Sequence, residues 1–136
     1  MKKHIENTED IQLLVNSFYE KVKANPDIGY IFTEKMVVDW EHHLPIMYKF
    51  WENVLFFTGA YNGNPMTAHE KVHTAAHLTT RHFEVWLQLF IKTVDELFEG
   101  DKAELAKQRA ISIATVMQIK LLHAHAPIAV QREKEL

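Results

Sequence analysis

At 136 residues, with 47% apolar and 24% charged residues, the chain has the size and composition of one globular domain with one sizeable core. A formal charge of −3 gives no general electrostatic case for nucleic acid or an anionic membrane, so neither is expected as a partner. The absence of cysteine excludes disulfides, iron–sulfur clusters, thiolate metal ligands and a covalent C-x-x-C-H haem attachment. No apolar segment follows the charged start Met1-Lys2-Lys3-His4, and no apolar run reaches the length of a membrane span, so a cytoplasmic location is expected.

Four Gly and four Pro leave little punctuation for a many-stranded fold, and the apolar spacing is helical throughout. Thr8 is the expected N-cap of a first helix, with Glu9 and Asp10 in its first turn and Ile11, Leu14, Val15, Phe18 and Val22 on its apolar face. Tyr19 stands on the margin of that face, and Asn25-Pro26-Asp27 stops the helix. A link from Ile28 to Lys35 carries Phe32. Asp39 is placed to cap a second helix from about Trp40 to Phe57, ended by Gly59. Its inward side runs through His43, Met47 and Phe50, at i, i+4 and i+7. His42 points about 100° away, so the two histidines cannot both face inward. Pro45 lies just past the first turn and should bend the helix there.

The turn Tyr61-Asn62-Gly63-Asn64-Pro65 is the strongest break in the chain. Behind it His69, His73 and His77 follow at intervals of four, one face of a short helix. Thr79 or Thr80 then opens the clearest helix, whose stripe is Phe83, Trp86, Leu87, Phe90, Val94 and Leu97, closed by Gly100. Asp101 with Glu104 makes a capping-box-like start for a last helix, with Ala106, Ala110, Ile113, Ala114, Met117 and Leu121 facing inward. The whole chain, 1–136, reads as a single domain with a core of about 8–125 and a frayed tail at 126–136.

Three chemistries compete for the histidines. The segment His69-Glu70-Lys71-Val72-His73 matches the H-E-x-x-H pattern of zinc hydrolases, with two ligands on one helical turn and a general base between them. Such a short match arises by chance in roughly one sequence in twenty of this composition, and no strand is present to edge a substrate cleft. A di-iron bundle needs a second Glu-x-x-His pair, and Glu70 with His73 is the sole one. A non-covalent haem needs one axial histidine and a large apolar slot. Nine His, three Trp and eight Phe can supply both.

Ordered segments decide between them. These are Phe18-Tyr19-Glu20-Lys21-Val22, Ile31-Phe32, Trp40-Glu41-His42-His43 leading to Phe50-Trp51, and Tyr61-Asn62-Gly63-Asn64-Pro65 leading to His69. They continue through His82-Phe83-Glu84-Val85-Trp86-Leu87-Gln88-Leu89-Phe90 and Gln108-Arg109-Ala110. In this order, from about Ile11 to Leu122, the chain resembles the group III truncated haemoglobins of bacteria. The resemblance implies an all-α truncated globin, a two-on-two helical sandwich around a b-type haem and its iron. It implies His69 as the proximal iron ligand, with His73 the rival when positions are counted back from Trp86. Phe32 would pack on the haem plane, with Met47, Phe50, Phe83 and Phe90 completing the cofactor slot. Tyr19, His43 and Trp86 match the family's distal tyrosine, histidine and tryptophan. The ligands implied are dioxygen, nitric oxide or other small diatomics, with chemistry on the bound ligand drawing electrons from a separate reductase.

Overall fold

A computed structural model describes residues 2–35, 39–57 and 78–119. Over them the chain forms four long helices: α1 (Thr8–Ala24), α2 (Trp40–Phe56), α3 (Thr80–Leu97) and α4 (Asp101–Met117). Among the described residues no helix is long and apolar enough to cross a membrane. Extended pairing there is limited to an isolated parallel bridge between Lys3 and Phe98.

Helix α1 packs against α2 and α3, α4 packs against α3 and α2, and these contacts make two pairs of helices laid one on the other. The core takes Ile11, Leu14, Val15, Phe18 and Val22 from the predicted α1 stripe and Phe83, Phe90 and Val94 from that of α3, joined by Trp51 and Leu55 from α2. Trp86, Leu87 and Leu97 of the α3 stripe are half-buried. Ala103, Ala106, Ala110 and Ala114 are buried on α4, where small side chains let α4 lie close to its neighbours. Leu121, expected on the same face, lies outside the described residues, as do Gly59 and the tail.

Several helix ends differ from the sequence expectation by one or two residues. Asn7, not Thr8, caps α1, because its side-chain oxygen reaches the Asp10 N–H at 2.9 Å. Asp39 occupies the N-cap position of α2 but its side chain makes no capping bond. That helix closes at Phe57, which adopts the left-handed conformation (φ 57°) usually left to glycine and donates its N–H to Asn53 O at 3.0 Å. Gly100, rather than closing α3, is the N-cap of α4, so Asp101 is that helix's first residue and makes no capping box. Its φ of +101° favours glycine there, and a Cβ would also push aside the exposed His4 ring, 2.8 Å away.

The link after α1 is more ordered than its sequence suggests. Asn25 Oδ1 accepts from the N–H groups of Asp27 at 2.8 Å and Ile28 at 3.3 Å, turning the chain. Gly29 then passes so close to α1 that a Cβ would stand 2.5 Å from Lys23 O. The turn leads into a π-helical segment, Ile31–Lys35, which carries Phe32.

Candidate functional site

Between the two helix pairs lies a pocket with an enclosed volume of about 110 Å3 that opens to solvent. Phe18 and Tyr19 of α1, Ile28, Ile31 and Phe32 of the turn, and His43, Met47, Phe50 and Trp51 of α2 line one part of it. Leu78, His82, Phe83 and Trp86 come from α3 and its approach, and Ile113 and Met117 from the end of α4. The wall is therefore mostly aromatic and aliphatic, with a few polar groups set into it, as a ligand slot requires.

Those polar groups are placed by the helices that carry them. His43 reaches the pocket because it shares one face of α2 with Met47 and Phe50, while His42 is exposed. Its Nε2 stands 3.4 Å from the Tyr19 hydroxyl, and the two rings meet edge-on at 5.5 Å. This is longer than the usual 2.7–3.2 Å of a nitrogen–oxygen hydrogen bond, so neither group is tightly held by the other. Burial pushes the Tyr19 phenol well above the usual tyrosine range, which keeps it neutral and able to donate. Trp86 is oriented by two rings: Phe18 meets it edge-on at 5.7 Å, and Phe90 lies nearly parallel to it at 6.1 Å.

Of the side chains expected around the cofactor, Phe32, Met47, Phe50 and Phe83 line the pocket. Phe90 does not. It is fully buried one layer behind, stacked on Trp51 at 4.7 Å, and acts by supporting Trp51 and Trp86. His69, His73 and His77 lie outside the described residues, and with them the His69–His73 segment of the zinc-hydrolase pattern. Among the described residues no group of three or more His, Asp or Glu is placed to hold a metal ion.

His82 lines the pocket and was not singled out from the sequence, and Tyr30, outside the lining, bonds to it. The Thr79 N–H donates to His82 Nδ1 at 3.0 Å, so the neutral ring carries its proton on Nε2. That nitrogen lies 3.2 Å from the Tyr30 hydroxyl and ties the π-helical turn to α3 across 52 residues of sequence. Burial lowers the His82 pKa, and the Asp27 carboxylate only partly opposes this, so the ring stays neutral. One local signal was available: Thr79-x-x-His82 is a capping box with histidine in the place of the usual Glu or Gln.

The residues present fit a flat, largely apolar macrocycle: four of the five expected contact side chains line one slot, and hydroxyl and imidazole groups enter it from α1 and α2.

The comparisons agree with this geometry. The family model described as "Bacterial-like globin" matches residues 3–123. A group 3 truncated haemoglobin of Campylobacter jejuni is 31% identical over 121 residues, covering 87% of this chain and 93% of its own length. The crystal structure of a group III truncated haemoglobin from Campylobacter jejuni superposes with a TM-score of 0.76 at 32% identity, covering 89% of this chain and 95% of that one.

Proposed function

The chain belongs to the bacterial-like globin family, as a haem-binding truncated globin of the group III kind, and on that premise we propose how its pocket works. Phe32, Met47, Phe50 and Phe83 would hold a haem b, and His69, with His73 as its rival, would be the proximal ligand of its iron. When bound, the haem supplies an iron centre that takes dioxygen or another small diatomic ligand.

Tyr19, His43 and Trp86 form the polar wall facing that ligand. The observation that carries this reading is the convergence of all three on the apolar pocket that Phe32 lines. In the tautomer that carries its proton on Nε2, His43 would donate weakly to the Tyr19 oxygen across their 3.4 Å separation and leave the phenolic proton for the ligand. Donation into one side of the hydroxyl polarises the other. The Trp86 indole N–H can only donate, so it serves the same electron-rich ligand. The apolar rings around these groups lower the local polarity, which strengthens each of these bonds.

A wall of donors that retains its ligand suits chemistry on that ligand, such as nitric oxide dioxygenation or peroxide cleavage, better than delivery. The electrons for such turnover come from a separate reductase, in the cytoplasm. The alternative, a zinc hydrolase at His69, Glu70 and His73, has only its short motif in support.

Titrating the purified apoprotein with haemin tests the cofactor and its ligand together. The expected result is one haem per chain with a strong Soret band, lost in His69→Ala and kept in His73→Ala. A reversed pattern would make His73 the ligand. A colourless protein that ignores haemin and carries stoichiometric zinc would overturn the haem reading.

A further inference from the structure

We propose that Trp40 is a positioning residue for the distal pair: from outside the pocket it holds Tyr19 and His43 side by side. The proposal rests on the reading of Tyr19 and His43 as the ligand-facing groups. Trp40 does not line the pocket, yet its ring meets three side chains that do. The centroid distances are 5.1 Å to Tyr19, 5.7 Å to His43 and 6.2 Å to Phe32. The Lys23 ammonium stands 5.0 Å from the same ring's centroid, and Glu20 holds Lys23 at 2.8 Å. Trp40 thus bridges α1, the π-helical turn and the first turn of α2.

The start of α2 is held by backbone bonds alone, with the His42 and His43 N–H groups donating to Asp39 O at 3.1 and 2.8 Å. Helices α1 and α3 begin on side-chain caps, from Asn7 and Thr79. Helix α2 begins on Asp39, which gives none. Two residues beyond His43, Pro45 has no N–H to return to the Glu41 carbonyl. His43 therefore sits between a helix start without a side-chain cap and a missing backbone bond, and its side chain meets Tyr19 only at 3.4 Å. Trp40, three residues before His43 and one turn away on the same helix, adds a constraint by ring packing.

The infrared C–O stretch of the carbon monoxide-bound ferrous protein tests this, because that frequency follows the donors around the ligand and not the overall stability. Wild type should give one dominant band, and Tyr19→Phe should move it. Trp40→Leu should split the band, with a second population near the Tyr19→Phe position, and speed oxygen release about threefold to tenfold, as the share of time Tyr19 spends in place falls. Trp40→Phe should restore most of the single band. If Trp40→Leu does not fold, Lys23→Ala reads the same property, and a minor second band is expected from the loosened ring. A band that moves in Tyr19→Phe but stays single and unshifted in Trp40→Leu, or in Lys23→Ala where that variant must stand in, would overturn the role of Trp40 alone. A band unmoved by Tyr19→Phe would overturn the donor reading and the proposal together.

Discussion

The two ends of helix α1 hold their polar groups in opposite ways. Near its start, Asp10 is 2% exposed and its carboxylate accepts from the Glu6 N–H and from Lys3, each at 2.8 Å. Near its end, Tyr19 is half-buried and meets His43 at 3.4 Å, with Trp40 and Phe32 holding it by ring contact. At the first site short bonds satisfy the carboxylate and tie the N-terminal segment to the helix, leaving nothing to offer a ligand. At the second the donor is positioned by packing, and its hydrogen-bonding capacity remains for something that enters the pocket. Native structures complete their buried polar bonds where the purpose is stability and leave them loose where a partner is still to come.

Breaking the satisfied site should cost stability and leave ligand chemistry untouched. Asp10→Ala strands the Glu6 N–H and should lower unfolding free energy by about 1–3 kcal/mol in urea melts, with oxygen release unchanged. The exposed Lys3 arm is screened by solvent and adds little to that figure. The same carboxyl predicts an acid response. Burial alone would raise its pKa, but the bonds from Lys3 and the Glu6 N–H outweigh it and hold the carboxyl below the usual range. Its contribution is therefore present above the ordinary aspartate value of about 3.9 and is lost as pH falls through the lowered folded value. Asp10→Asn should remove that part of the acid unfolding.

A smaller effect is expected at His82, which lines the pocket but is bonded like Asp10. With its pKa lowered by burial, its contribution is complete above the ordinary histidine value of about 6.5 and erodes as pH falls from there through the lowered folded value. His82→Gln keeps an acceptor for the Thr79 N–H and does not titrate. Its urea midpoint should change less than that of the parent protein across this range, and an identical pH dependence would remove His82 from the account.

Much of the architecture was legible because it depends on local spacing. The stripes of α1, α2 and α3 and the inward turn of His43 with Met47 and Phe50 follow from 3.6-residue periodicity alone. What escaped was set by tertiary packing. Tyr30 and His82 meet across 52 residues, and the one local signal, the Thr79-x-x-His82 capping box, marks a helix start and says nothing of Tyr30. Phe90 occupies the same stripe as Phe83, yet the depth at which Trp51 and Trp86 cover it places it behind the pocket. Asn7 and Thr8 are both good caps, and only the backbone decides which side chain reaches the Asp10 N–H. Trp40 was visible as part of a motif, but its role depends on Lys23 and Tyr19 from another helix.

The contrast along α1 comes down to whether Tyr19 is a free donor. The oxygen off-rate of the haem-loaded ferrous protein, compared between wild type and Tyr19→Phe, measures this directly. Loss of a bond to a charged acceptor, about 1.5–3 kcal/mol, should speed release roughly tenfold to a hundredfold. The wild-type rate should also hold steady between about pH 6 and 10, because burial keeps the phenol protonated throughout. An off-rate that Tyr19→Phe leaves unchanged would contradict the account.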